Sequence, residues 1–341
     1  MIIPVAFVAH YNSSIQCITS VVLFLSLLYI QMLSQHDKLH ISIVWTIDIL
    51  AFILNIVLIT VIVLKTPKYL RAYSVFLLFN AIIDLCTATA SAMGSVRVVQ
   101  DHHGSMIFLF LGPCSSFNQR LCRLCHALHV NLVQQSTFFL LLSFAFRLYV
   151  VGKEVGLRPL KRPIQITFLC VFSLIPMTIP TAINYFEQKS VSEAVLSRLH
   201  LKGYTASIFP IYGTPRATLL NTFIVMLSPT VMTFIFFVRR KLISRIAQAE
   251  RTSKRHHIFI ARALTFQMLL PLGVAVASTI WLWSIIQNQS NEFAERFLMI
   301  ACSFFSLASP VINLVMLLPY RAAILCSKNT IRLRQTTFIS V

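Results

Sequence analysis

The densest run of chemically capable side chains is Cys122-Arg123-Leu124-Cys125-His126-Ala127-Leu128-His129. It contains C-x-x-C-H, the spacing that attaches haem covalently. It also presents two thiols and two imidazoles, which together are a zinc donor set. The run opens a long apolar stretch, and nothing else in the chain suggests redox work, so we expect neither a cofactor nor a metal there. A second feature is Asp84, a carboxylate inside an apolar run. A buried acid of this kind is costly and faces partners rather than lipid. Asn55 and Asn313 lie at comparable depth in their own apolar runs, and Ser309 is one turn from Asn313. We expect a polar switch cluster of Asp84, Asn55, Ser309 and Asn313 that holds a water or a sodium ion. A plain helix-packing hydrogen bond is the alternative.

The elements that must position these residues follow from composition. Of 341 residues, 57% are hydrophobic and only 11% charged, against about a quarter charged in a soluble domain. That excludes a soluble enzyme, because so much apolar surface has nowhere to hide in water. It excludes disorder for the same reason. About 20 apolar residues cross a bilayer as a helix. Eight stretches qualify: 15–33, 41–64, 72–95, 126–150, 164–186, 217–238, 260–286 and 297–319. All read as helices, since no strand-period alternation is visible. The apolar stretch 105–111 is too short to cross. The fold class is therefore an all-α membrane bundle of seven helices, with an extra N-terminal hydrophobic segment.

The net charge is +19. In a soluble chain this would suggest nucleic acid, but the basic residues are split among short loops. Lys65, Lys68 and Arg71 lie in one. Arg147, Lys153, Arg158, Lys161 and Arg162 lie in the next. Eight from Arg239 to Arg262 lie in a third, and Arg321, Lys328, Arg332 and Arg334 close the chain. The intervening loops hold most of the acids, among them Asp37, Asp101, Glu187, Glu193, Glu292 and Glu295. Basic loops stay in the cytoplasm, so residue 41 is expected outside and the C-terminus inside. The partners are then the lipid bilayer, which the basic loops also touch, and no nucleic acid.

Residues 1–40 form an extension whose segment 15–33 is a signal anchor, an extra span or a mispredicted start. Residues 41–325 form the seven-helix domain, and 326–341 a cytoplasmic tail. Asn12 and Asn288 stand in N-x-S triplets and are glycosylation candidates if they reach the lumen.

Several short motifs share an order with a known family. They are Lys65-Thr66-Pro67-Lys68-Tyr69-Leu70-Arg71-Ala72-Tyr73-Ser74, Asn80-Ala81-Ile82-Ile83-Asp84-Leu85, and Gly112-Pro113-Cys114 followed by Cys122. Further along come Ser143-Phe144-Ala145-Phe146-Arg147-Leu148-Tyr149, Gln267-Met268-Leu269-Leu270-Pro271, and Ser309-Pro310 with Pro319-Tyr320-Arg321. Over roughly residues 41–325 the chain resembles the nematode serpentine receptor class delta (Srd) chemoreceptors. The resemblance implies a G-protein-coupled chemosensory receptor in the plasma membrane of sensory neuron cilia. Its partners would be a heterotrimeric G protein and an odorant or pheromone-like small molecule. The chain departs from rhodopsin-like receptors: Phe146-Arg147-Leu148 replaces Asp-Arg-Tyr, and Pro310-Val311-Ile312-Asn313 replaces Asn-Pro-x-x-Tyr.

With that orientation, Cys114 and Cys122 face the oxidising side and form a candidate disulfide, with Cys125 as rival partner. His126, His129 and Gln134 occupy the outer part of the third helix and are candidate ligand contacts. Interhelical polar packing is the alternative for each. Arg147 and Arg321, at the exits of the third and seventh helices, are candidates to meet the G protein. Asp48, near the outer end of its span, is expected to snorkel to the interface. Trp281 and Trp283 are expected in an interfacial belt. Pro176, Pro180, Pro229, Pro271 and Pro310 fall inside spans as kinks or hinges. No nucleotide loop, H-E-x-x-H or nucleophile elbow occurs, so an enzyme is not expected. The rival function is a channel or transporter. Against it, no half-to-half repeat is visible, and Asp84 is nearly alone at its depth.

Overall fold

The computed structural model describes residues 33–67, 71–100, 105–153, 163–199, 201, 203–211, 213–248, 265–287 and 291–324. Outside them lie most of the segment 15–33, Asn12, Asn288, the greater part of the third basic loop and the tail from 326. Seven helices among the described residues are long and apolar enough to cross a membrane. The chain is a multi-pass membrane protein built as a seven-helix bundle.

Helix α1 is Gln35–Lys65, capped by Ser34, whose hydroxyl accepts from the Asp37 amide at 3.1 Å. Its 31 residues extend about 46 Å. It begins six residues before the apolar run at 41, because the cap and the first turn are polar. Helix α2 is Arg71–Gly94 and α3 is Gln119–Lys153. The fourth crossing is interrupted, as α4 Pro163–Phe172 and α5 Ile175–Glu187. Pro176 sits in the first turn of α5, where its missing N–H costs nothing. The carbonyl freed at Ser173 accepts from Gln135 Nε2 of α3 at 3.1 Å. Such cross-helix repair is what lets a broken helix survive in lipid.

A β-sheet closes one end of the bundle, and the period reading missed it. Strands β1 Val96–Gln100 and β2 Ser105–Phe110 form a hairpin. Strand β3 is Lys189–Ser190, α6 is the short helix Glu193–Arg198, and β4 is Thr205–Pro210. The antiparallel order is β1-β2-β4-β3. Met106, Phe108 and Phe110 point to the bundle, against Cys114, Cys122 and Trp281. Ile107 and Leu109 point the other way, against Leu196 of α6 and Ala206. Both faces are covered, so β2 reads as an unbroken apolar run with no alternation. The stretch expected to be merely too short to span is the sheet's central strand.

The turn from α2 into β1 is tight. Ser95 takes φ 39°, a conformation rare for a side-chain-bearing residue, and its hydroxyl accepts from Trp45 Nε1 at 3.0 Å. Gly112 follows β2 and donates to the Gly94 carbonyl at 3.1 Å. A Cβ there would collide with the Met93 backbone, so only glycine lets the hairpin fold back onto α2.

The remaining crossings are α7 Pro215–Gln248, α8 Leu269–Ile286 and α9 Glu292–Met316, followed by α10 Leu318–Ile324. Asn291 caps α9 by accepting from the Phe293 and Ala294 amides. Pro229 and Pro310 lie inside α7 and α9. Pro271 falls instead in the first turn of α8, just after a turn at Met268. At the end opposite the sheet, Leu58, Tyr73, Leu77, Phe144, Ile235 and Tyr320 are among the residues that form a buried core.

A charged clasp joins three elements at the sheet end. Asp37 Oδ1 of α1 accepts from Arg97 Nη1 of β1 at 3.2 Å and from Arg296 Nη2 of α9 at 3.1 Å. Its Oδ2 accepts from Ser34 and from the Tyr204 hydroxyl at 2.8 and 3.0 Å. Arg97 also pairs with Glu295 at 3.0 Å, and Arg296 with Glu292 at 2.5 Å. Burial, reinforced by the Asp37 charge, raises the pKa of the Tyr204 phenol above its ordinary value, which keeps it a donor.

Candidate functional site

Beneath the sheet the helices part around a cavity of about 720 Å³ of atom-free space, its mouth included. Strand residues Val98, Met106, Phe108 and Phe209 form one wall. His126, Val130, Val133 and Gln134 of α3 face Leu220, Asn221, Ile224 and Val225 of α7. Asn184, Val274, Ser278, Trp281, Leu298, Met299 and Cys302 complete it. The composition, mostly apolar with a few polar groups, is that of a small-molecule pocket.

Two of the three expected contact residues line it. His126 is 2% exposed, and its ring lies 4.0 Å from that of Phe108. Gln134 sits deeper, donating to the Ile224 carbonyl at 3.3 Å and accepting from Ser228 at 3.4 Å. His129 is buried but outside the cavity wall. Three residues is less than a full turn, so the pair diverges by about 60° around α3. Trp281 lies in the wall at 4% exposure, whereas Trp283 is 61% exposed. The interfacial-belt expectation is thus corrected for Trp281, since residues two apart on a helix face opposite sides.

Cys114 and Cys122 are joined by a disulfide spanning eight residues, Cα to Cα 5.1 Å. It fastens the 3₁₀ turn Pro113–Ser116 to the first turn of α3. Cys125 is a free, buried thiol. With Cys122 consumed, the four-ligand zinc set is broken. Among the described residues no group of three or more His, Cys, Asp or Glu could hold a metal ion.

Deeper in the bundle, Asp84 is fully engaged. Its Oδ1 accepts from Ser136 of α3 at 2.8 Å and its Oδ2 from Asn80 at 2.8 Å. Asn80 also donates to Ser309 of α9 at 3.1 Å and accepts from Ser136 at 3.0 Å. Asp84 and Ser309 therefore share a network, through Asn80 and Ser136. Asn55 and Asn313 stand apart from it. Asn55 donates to the carbonyls of Ala51 and Ser306 at 2.9 and 3.1 Å. Asn313 accepts from Gln267, just ahead of α8, at 2.9 Å. Similar depth does not put two residues at the same point around the bundle axis, which is why the four do not form one cluster. Asn80 was legible, being one turn from Asp84 on the same face; Ser136 gave no signal.

Asp48 corrects a second expectation. It is 1% exposed and faces the hydroxyls of Ser91 and Ser303, which lie 2.7 Å from one another. It does not snorkel, because its face of α1 packs against α2 and α9 rather than lipid.

Arg147 is 6% exposed, its guanidinium 4.2 Å from the centroid of the Tyr73 ring. Arg321 of α10 is exposed. A second, smaller cavity, lined by Asn80, Ser136, Gln267 and Ser309 among others, lies between the Asp84 network and α8.

A family model described as "Serpentine type 7TM GPCR chemoreceptor Srd" matches residues 39–326. The chain is 24% identical over 318 residues to "Serpentine receptor class delta-3" of Caenorhabditis elegans, covering 86% of this chain and 90% of that protein. It is 26% identical over 313 residues to "Serpentine receptor class delta-1" of the same organism, covering 84% of this chain and 81% of that protein.

Proposed function

The chain belongs to the Srd family of serpentine seven-helix chemoreceptors, and from that premise we propose that it is a G-protein-coupled chemosensory receptor rather than an enzyme. It takes a small odorant or pheromone-like molecule into the cavity beneath the sheet and signals through a heterotrimeric G protein at the opposite end. The observation that carries this reading is the cavity itself. It is walled by α3, α5, α7, α8 and α9 together, so a ligand there acts on five helices at once. Of these, α3, α7 and α9 continue to the far end of the bundle, α3 past Ser136 and α9 past Ser309. A ligand that favours one arrangement of them shifts the population of the whole bundle.

In this reading the sheet faces outside and the C-terminus lies in the cytosol, with the protein in the plasma membrane of sensory cilia. Residues 41–325 are the receptor domain, preceded by the 1–40 extension and followed by the 326–341 tail. Arg147, held over Tyr73, is freed to meet the G protein when the bundle opens, while Arg321 is already exposed there. The Asp84 network and the Asn313–Gln267 pair are the polar contacts that rearrange.

The test is expression in a reporter cell with an odorant panel, with and without a co-expressed Gα. Ligand responses that require Gα are expected. Current that persists without any G protein would replace this reading with a channel. Staining of the last residues on intact, unpermeabilised cells would overturn the orientation.

A further inference from the structure

Resting on that reading of the cavity, we infer that its ligand is an uncharged, mainly aliphatic molecule carrying one hydroxyl or carbonyl group, which His126 recognises.

The exclusion of charge comes from the wall. Among the described residues, no Asp, Glu, Lys or Arg lines the cavity. At the sheet end, Arg97 and Arg296 are already paired with Asp37, Glu295 and Glu292, and Arg123 is turned to the Gln188 carbonyl and the Tyr185 ring. A carboxylate or ammonium entering the cavity would lose its water and gain no counter-charge from the wall, which disfavours it against a neutral molecule. An uncharged chain instead gains from contact with Phe108, Val130, Val133, Ile224 and Met299.

The single polar group comes from His126. Its Nδ1 is buried without a hydrogen-bond partner. Among the described residues it is the one buried side-chain nitrogen or oxygen of the cavity wall left in that state. Of the amides in the wall, Gln134 is held by Ile224 and Ser228 and the Asn184 oxygen by Gln188 at 2.7 Å, while Asn221 is only half-buried and so keeps access to water. An unmet buried nitrogen is costly, and a ligand that supplies its partner removes the cost. A hydroxyl satisfies either imidazole tautomer, and a carbonyl satisfies the one with hydrogen on Nδ1.

The test holds chain length constant and varies only the head group. Nonanol, a nonanone, nonane, nonanoate and nonylamine are titrated into the purified full-length protein in neutral detergent, read by Trp281 fluorescence, with Trp281→Phe as the blank. Nonanol and the nonanone are expected to bind about threefold to tenfold tighter than nonane, the worth of one neutral hydrogen bond. Both charged compounds are expected to bind at least about tenfold more weakly than nonanol. His126→Phe should bring nonanol down to nonane, while His126→Gln should keep the preference. If His126→Phe does not fold, His126→Gln and the wild-type order of the five compounds still decide.

Charged compounds binding as tightly as nonanol would overturn the inference. So would a preference that survives His126→Phe, or no binding by either neutral compound at about millimolar concentration. The assay needs no G protein. Intact nonanol binding with a silent reporter cell would sink the receptor reading and leave the ligand class standing; reporter responses to ionic odorants without nonanol binding would do the reverse.

Discussion

Asp37, in the first turn of α1, and Arg97, in β1, meet at 3.2 Å across 60 residues of chain. The pair ties the entry of the first helix to the sheet that roofs the cavity. Arg296 brings α9 to the same carboxylate at 3.1 Å. One acid therefore holds two cations and two hydroxyls, and every one of its acceptor positions is used.

Asp37→Ala leaves Arg97 and Arg296 short of a partner in a nearly enclosed site. The expected loss is about 3–5 kcal/mol, read as a fall in thermal unfolding temperature in detergent. Asp37→Ala combined with Arg97→Ala should cost less than the two single losses added. Full additivity would mean that the clasp is not a coupled unit.

Replacing Cys114 and Cys122 by Ser opens the short loop they close. The chain-entropy estimate for a loop of eight residues is about 2.5 kcal/mol. Reductant should lower the unfolding temperature of the parent protein by a similar amount and leave the double variant unaffected. Equal sensitivity of both would point to another pairing.

Asp84→Asn replaces an acceptor-only group that faces two donors, Ser136 and Asn80. One amide N–H must then confront a donor, unless Asn80 or Ser136 turns. Ligand-dependent signalling is expected to change several-fold, with surface delivery within about twofold of the parent. Loss of delivery alone would make the network a packing feature.

Tyr73→Leu removes the ring beneath Arg147. A buried cation–π contact is worth about 2 kcal/mol, so its loss should raise signalling without ligand in the reporter cell. Arg147→Ala, delivered normally, should abolish the ligand response. Unchanged responses in both would remove Arg147 from coupling.

The seven crossings were legible because lipid demands long uninterrupted apolar runs, and that requirement is written in consecutive residues. The resemblance to Srd receptors was legible too, from motifs such as Asn80-Ala81-Ile82-Ile83-Asp84-Leu85. His126 and Gln134 could be nominated from their place on α3. Asn184, Asn221, Ser278 and Trp281 could not, since each is an ordinary polar or aromatic residue on its own helix. The sheet was hidden for a related reason. Ile107 and Leu109 face one layer while Phe108 and Phe110 face the other, so the strand carries no polar side to betray its period.

Membership of the bilayer, the seven crossings from residue 41 onward and the sign of each loop's charge are properties of local composition, and the linear chain determines them alone. Which faces of those helices meet is not local. It depends on how each helix is rotated about its axis, and that is settled only when all seven pack at once. Tertiary packing alone turned Asp48 inward, separated His129 from His126, and split Asn55 and Asn313 from Asp84. It also brought four strand residues over α3, α5, α7, α8 and α9 to make a cavity.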